Sequence, residues 1–341
     1  MKRIWKILGL ALAVFVTTGC GGALTGSAHP EVTLSAWTAY WDMERGLTEY
    51  RGLKKRLGSV VYFAASFDAN DRLTVPPEVV AARESQRKNG GPKAFLSFVN
   101  DVTLKNGQTI EKDTVVLRRV LQSPESTDRH VAEMVALARA GGYDGIELDY
   151  ERVFKDAPEL REKFLDFTYR LSKAAIAENL ALRIVLEPSA PFDAGFCRGP
   201  EYVVMLYNLY GTHSGPGPKA DRAFIEKTLD KMNALPESRV VAFSTGGCRW
   251  EKQGLLGQTG KGKFIDQAEA EALRDKYRAM AKRDADSAVL SFDYEAEGKA
   301  YTVWYADSET LNSWITVAAN RGIKGVSLWR LGGNTGITGV K

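Results

Sequence analysis

The stretch 143-YDGIELDYER-152 decides how this chain is read. Its apolar residues suit a buried strand, yet it carries acidic side chains at Asp144, Glu147, Asp149 and Glu151, the last three on alternate positions. Successive side chains of a strand point to opposite faces, so these three carboxylates share one face while Ile146, Leu148 and Tyr150 share the other. Carboxylates on a buried face are costly if ionised without partners, and their repulsion raises the proton affinity of at least one. A carboxyl that keeps its proton near neutral pH suits a general acid. A set of salt-bridged carboxylates at a strand end is the plainer alternative.

Around this run, short β-branched segments alternate with helical ones. Strand-like runs are 32-VTLSAW-37, 59-SVVYFAASF-67, 93-KAFLSF-98, 143-YDGIELDY-150, 181-ALRIVLEP-188, 202-YVVMLY-207, 239-RVVAFS-244 and 324-KGVSLW-329. Between them, residues 127–142, 158–180, 221–235 and 307–322 place apolar residues at helical spacing. Strands alternating with helices imply parallel pairing, and eight such units imply an α/β fold, a (β/α)8 TIM barrel. One region breaks the rhythm. Residues 249–306 hold a helical run (267–283) and two strand-like runs (287–295 and 300–306), and read as a small α+β insertion between the seventh and eighth strands. In a barrel, Glu147, Asp149 and Glu151 face inward and climb toward the C-terminal mouth, where barrel active sites lie. Glu151, the last of them, is best placed to reach a ligand.

The run Asp144-Gly145-Ile146-Glu147-Leu148-Asp149-Tyr150-Glu151 resembles the D-G-x-D-x-D-x-E signature of glycoside hydrolase family 18, which includes chitinases, endo-β-N-acetylglucosaminidases and spore-cortex peptidoglycan hydrolases. The resemblance implies that Glu151 protonates the glycosidic oxygen. It also implies that Asp149 orients the substrate's N-acetyl group, which is the nucleophile in place of an enzyme carboxylate. Asp144 and Glu147 enter as substrate-binding candidates, Glu147 standing where many members carry Asp. The segment 205-MLYNLYG-211 is similar to the family's M-x-Y-D segment: Tyr207 would hydrogen-bond the N-acetyl carbonyl, Met205 would floor the site, and Asn208 replaces the usual Asp. The segment 325-GVSLWRLGG-333 is similar to the closing G-x-x-x-W segment, which makes Trp329 the base of a sugar site, a use suited to a flat ring with large contact area. Barrel core is the alternative for Met205, Tyr207 and Trp329. The stretch 301-YTVWYADSETLNSW-314 resembles the V-W-[FY]-x-D stretch of the spore-hydrolase branch and implies a structural Trp304, with Asp307 and Ser308 at a helix N-cap. Trp37, Tyr40 and Trp41 at the first strand, near the mouth, and Trp250 are sugar-stacking or core residues. Glu187 is left between a sugar hydroxyl and Arg183.

Composition narrows the function further. The 341 residues are 44% hydrophobic and 26% charged, with net charge +4. There is no basic block to mark a nucleic-acid partner. The scattered His29, His130 and His213 give no metal spacing, and no cofactor is implied. MKRIWK followed by ILGLALAVFV and 17-TTGC-20 resembles a bacterial lipoprotein signal: residues 1–19 would be removed, Cys20 lipidated, and 20–31 would form a tether before a barrel over 32–341. Ordinary secretion is the alternative. Either way the protein is expected to be exported to the cell envelope, with a lipid anchor in the first case (in the outer membrane of a Gram-negative host). Cys197 and Cys248 either pair as a disulfide or are two small buried residues. The expected activity is that of a monomeric glycosidase on an N-acetylglucosamine polymer, peptidoglycan or chitin. A non-catalytic sugar-binding protein on the same barrel is the alternative.

Overall fold

The computed structural model describes residues 32–236, 239–253 and 258–341. The expectations for the leader, the tether and Cys20 fall outside the described residues.

All eight expected strands are present: β1 (Thr33–Ala39), β2 (Leu57–Asp68), β3 (Lys93–Thr103), β4 (Gly145–Asp149), β5 (Ala181–Leu186), β6 (Glu201–Met205), β7 (Arg239–Ser244) and β8 (Gly325–Leu331). Each pairs in parallel with the next, and β8 pairs in parallel with β1, which closes the barrel. Closure removes both sheet edges. The alternation read from β4 sorts the side chains into two cores. Ile146, Leu148 and Tyr150 join the layer between strands and helices. Inside the barrel, Trp37, Val61, Phe63, Phe95, Val99, Val185, Val203, Met205, Val240 and Ala242 form a second cluster, with Tyr207 and Trp329 packed against it.

Local sequence sets the helices that carry β4. The helix Pro124–Ala140 begins with proline in its first turn and a capping box between Ser123 and Ser126. It stops at Gly141 and Gly142, the latter at φ 62°. Three residues later Gly145 must be glycine for packing reasons: a Cβ there would lie 2.4 Å from the Phe95 ring and 2.6 Å from the Ala181 carbonyl oxygen.

After β7 the chain leaves the barrel. A strand over Gly246–Gln253 pairs antiparallel with Lys299–Ala306, which pairs antiparallel with Leu290–Ala296. The helix of this region covers Gln267–Lys276. It is shorter than the periodicity suggested, because the residues after it turn back into a short strand at Lys282–Arg283. A small core of Ile265, Ala270, Phe292, Tyr294, Val303 and Tyr305 holds the unit together. Trp304 packs against the barrel's outer core. Asp307 caps the helix Ser308–Asn320 by accepting from the Thr310 amide, as its position suggested.

Cys197 and Cys248 are both free, so the disulfide alternative is withdrawn. Cys197 precedes β6 and Cys248 follows β7. The Cys197 carbonyl accepts from the Tyr202 hydroxyl beside β6, and Cys248 lies in the strand Gly246–Gln253 of the insertion.

Candidate active site

The carboxylates of the opening stretch end in different environments. Asp144 sits just before β4, at the end of the barrel away from the mouth, where its carboxylate accepts from the Ala94 amide at 2.8 Å and lies 3.6 Å from Arg83 Nη2. At about 3.3 Å per residue, the strand separates it from Glu151 by roughly 20 Å. Its assignment to substrate binding is therefore corrected: it fixes the start of β4.

Glu147 faces inward as the alternation requires, but it has no exposed surface. In the parallel register it lies opposite Ser97 on β3 and Arg183 on β5. Arg183 Nε is 3.4 Å from Glu147 Oε2 and 3.1 Å from Glu201 Oε1, and Trp37 Nε1 donates to Glu147 Oε1 at 2.5 Å. Burial pushes the Glu147 carboxyl above its usual range even against the attraction of Arg183. Glu147 and Trp37 thus form a polar plug inside the barrel, and their assignment to sugar binding is corrected as well. Arg183 Nη2 donates to Ser327 Oγ at 2.6 Å, while its Nε stays at the carboxylates of Glu147 and Glu201, and neither Nε nor Nη1 makes a hydrogen bond; Glu187 accepts from the Arg152 amide at 2.9 Å.

Asp149, the next inward residue, reaches an open cavity of about 520 Å³, a size usual for ligand sites. Tyr40, Trp41, Phe63, Met205, Tyr207, Asn208, Trp329 and Glu151 also line it. The Trp329 ring meets Phe63 edge-on at 4.8 Å and Trp37 at 5.7 Å, which fixes its plane at the cavity wall. Trp41 is 52% exposed at the rim. Trp250 is buried and donates to the Ser214 carbonyl, so it is a packing residue.

Glu151 lies two residues past the end of β4 and is held by its backbone. Its N–H donates to Asn100 Oδ1 at 2.9 Å, and Asn100 Nδ2 donates to the carbonyls of Glu151 (3.2 Å) and Asp113 (3.3 Å). Arg152 then adopts φ 63°, which turns the chain away and leaves the Glu151 side chain at the cavity. Lys112 Nζ lies 2.6 Å from Glu151 Oε2.

The electrostatics separate the two acids. Burial, then the charges of Glu151 and Glu147, hold the Asp149 carboxyl well above the usual range. Its Oδ1 is buried and has no hydrogen-bond partner within the protein, a costly condition that calls for an explanation. Burial also raises Glu151; Lys112 opposes this, while Glu187 and Asp101 add to it. Tyr207 is raised well above its usual range by burial and by Asp149, so it stays a neutral phenol with a proton to donate. Among the described residues no group of His, Cys, Asp and Glu is arranged to hold a metal ion.

One wall of the cavity was not read from the sequence. The tail of β3 continues past Phe98 and folds back through a hairpin to Thr109–Ile110. It brings Asn100, Asp101, Glu111 and Lys112 to the site. The signal was present: Asn106-Gly107, the strongest short-range hairpin dipeptide, lies between VTL and QTI, and Gly107 takes φ 81°.

The chain is similar to several known proteins. The curated relatives include an uncharacterized glycosylase, YvbX, of Bacillus subtilis, 21% identical over 97% of this chain and 96% of its own length. They also include a cortical fragment-lytic enzyme of Bacillus cereus, 25% identical over 83% of this chain and 66% of its own length. Among solved structures, the Bacillus cereus spore cortex-lytic enzyme SleL superposes with TM-score 0.76 at 19% identity, covering 89% of this chain and 72% of that one. A chitinase from Chromobacterium violaceum does so with TM-score 0.75 at 22% identity, covering 89% and 95%. These likenesses establish the (β/α)8 barrel. The family described as Glycosyl hydrolases family 18 matches residues 107–334, which include β4, Glu151, Tyr207 and Trp329. The chain belongs to glycosyl hydrolases family 18 and is a glycosidase.

Proposed function

We propose that this protein cleaves β-linked N-acetylglucosamine glycans of the peptidoglycan or chitin type, with retention of configuration and with the substrate's own acetamido group as nucleophile. The observation that carries this is the unpartnered Oδ1 of Asp149 in the same cavity as Glu151 and Tyr207. An acetamido group placed there gives that oxygen a partner, the amide N–H, and gives Tyr207 a carbonyl to donate to. The relatives named as cortical fragment-lytic enzyme and chitinase, and a class V chitinase of Nicotiana tobaccum solved in complex with NAG4, support this substrate class.

The proposed steps are these. Glu151, protonated, gives its proton to the glycosidic oxygen as the C1–O bond breaks. The acetamido carbonyl oxygen attacks C1 and closes an oxazolinium ring, whose N–H charge Asp149 stabilises. Water, giving its proton back to Glu151, opens the ring at C1 and restores the sugar with its original configuration. Trp329 holds an apolar sugar face by contact area. We further propose that the protein acts as a monomer outside the cytoplasm, tethered by lipid on Cys20. The basic, apolar and small-residue order of residues 1–20 supports this.

The test is product analysis by mass spectrometry from purified peptidoglycan and chitin oligomers, with wild type and Glu151→Gln. Wild type should release new reducing ends. The variant, which keeps the shape but loses the proton, should fall by about 10²-fold or more in kcat. Polymers without the N-acetyl group should resist cleavage. Equal activity of the variant, or binding of these polymers by wild type without release of product, refutes the proposal.

A further inference from the structure

We propose that Lys112 is a positioning residue for Glu151, which fixes the acid's carboxyl at the cavity wall and sets the pH range in which it can act. The inference rests on the reading of Glu151 as the general acid. Among the described residues that line the cavity Lys112 is the one cation, facing Asp101, Glu111, Asp149 and Glu151. Its ammonium contacts the carboxylate oxygen of Glu151 at 2.6 Å, within the range of a short charge-assisted hydrogen bond.

The placement is built rather than incidental. Lys112 takes φ 55°, a left-handed backbone that costs a lysine roughly 1–2 kcal/mol and that glycine would adopt freely. The surroundings enforce it: the Lys112 N–H donates to Asp101 Oδ1 at 2.8 Å, and the next residue, Asp113, donates its N–H to the Asn100 carbonyl at 2.8 Å. Asn100 is the same residue that grips the Glu151 backbone from both sides. One side chain therefore sets the distance between the acid and its cation. An observed backbone outlier at a cavity is sound ground for a functional hypothesis.

The charged groups around Glu151 come from four directions. Asp101, Glu111 and Lys112 belong to the β3 hairpin, Asp149 to β4, Glu187 to the end of β5, and Tyr207 to the end of β6. The Arg152 side chain is directed to Asp156, 3.9 Å away. Among these described groups Lys112 is the one that offsets the acidic surroundings. Without it, burial and the neighbouring carboxylates would hold the proton on Glu151 to higher pH, and the side chain would be free to leave its position. With it, the pair must loosen as a glycosidic oxygen comes within reach of Glu151, so the proton is released to the substrate rather than kept by the site.

The experiment compares kcat/KM against pH for wild type, Lys112→Met, Lys112→Arg and Glu151→Gln on one chitin oligomer. A general acid's ionisation sets the high-pH limb. Removing an opposite charge in contact should move that limb up by about 1 pH unit, while the plateau falls because the carboxyl is less well placed. Lys112→Arg, which keeps the charge, should restore the wild-type limb. If Lys112→Met fails to fold, Lys112→Gln carries the same comparison. A neutral variant whose limb superimposes on wild type, with Glu151→Gln inactive, overturns the role of Lys112 alone. A fully active Glu151→Gln overturns the acid assignment beneath it.

Discussion

Protonation of His130 should destabilise the strand that carries the acid. His130 lies behind β4, on the helix Pro124–Ala140, with its ring stacked between Phe67, Phe167 and Tyr150. Its Nε2 is 2.7 Å from the Tyr150 hydroxyl, and its Nδ1 has no partner. Burial lowers the imidazole from 6.5 to about 4. The unfolded chain therefore takes up this proton below pH 6.5, while the folded protein resists until about pH 4. Stability from this group is complete above pH 6.5, declines as the pH falls, and is gone once pH 4 is passed. The gap of 2.5 units, at 1.36 kcal/mol each, amounts to about 3 kcal/mol, a large part of the 5–15 kcal/mol typical of a domain. Tyr150 stands between Asp149 and Glu151, so loss of this packing would disorder both. Urea unfolding of wild type and His130→Gln between pH 7.5 and 4 isolates the effect, because the carboxylates common to both cancel in the difference. Wild type should lose about 3 kcal/mol more than the variant over that range. Parallel stability curves would show that the ring is not the buried neutral base described above.

Two further outcomes test how the site is held. Asn100→Ala removes the partners of the Glu151 amide and of the Glu151 and Asp113 carbonyls. It should cost about 2–4 kcal/mol in denaturant unfolding and reduce kcat more than it raises KM; an unchanged kcat would mean that the clamp does not position the acid. Arg183→Met strands the buried Glu147 carboxylate and should cost about 3–5 kcal/mol, most of it recovered when Glu147→Met is added; additive losses in the double variant would exclude the plug as a coupled pair.

The sequence by itself determined the eight alternating units that a barrel needs, because strand alternation and helical period are local patterns and all eight strands carry theirs. It also determined which strand side chains face inward: Glu147 and Asp149 do so by parity, whereas Glu151, past the strand end, is held at the cavity by Asn100. Parity says nothing of height along the barrel axis. The tertiary structure therefore decided that Glu147 and Trp37 lie a layer below the cavity with Arg183, and that the Asp144 carboxylate is taken up by the Ala94 amide and Arg83. It likewise decided that Cys197 and Cys248 stay apart. Lys112 is the clearest case. Its hairpin was signalled by Asn106-Gly107, but its meeting with Glu151, thirty-nine residues on, depends on β3 lying beside β4. Pairing between strands is set by the whole closed sheet, and no local run of residues contains it.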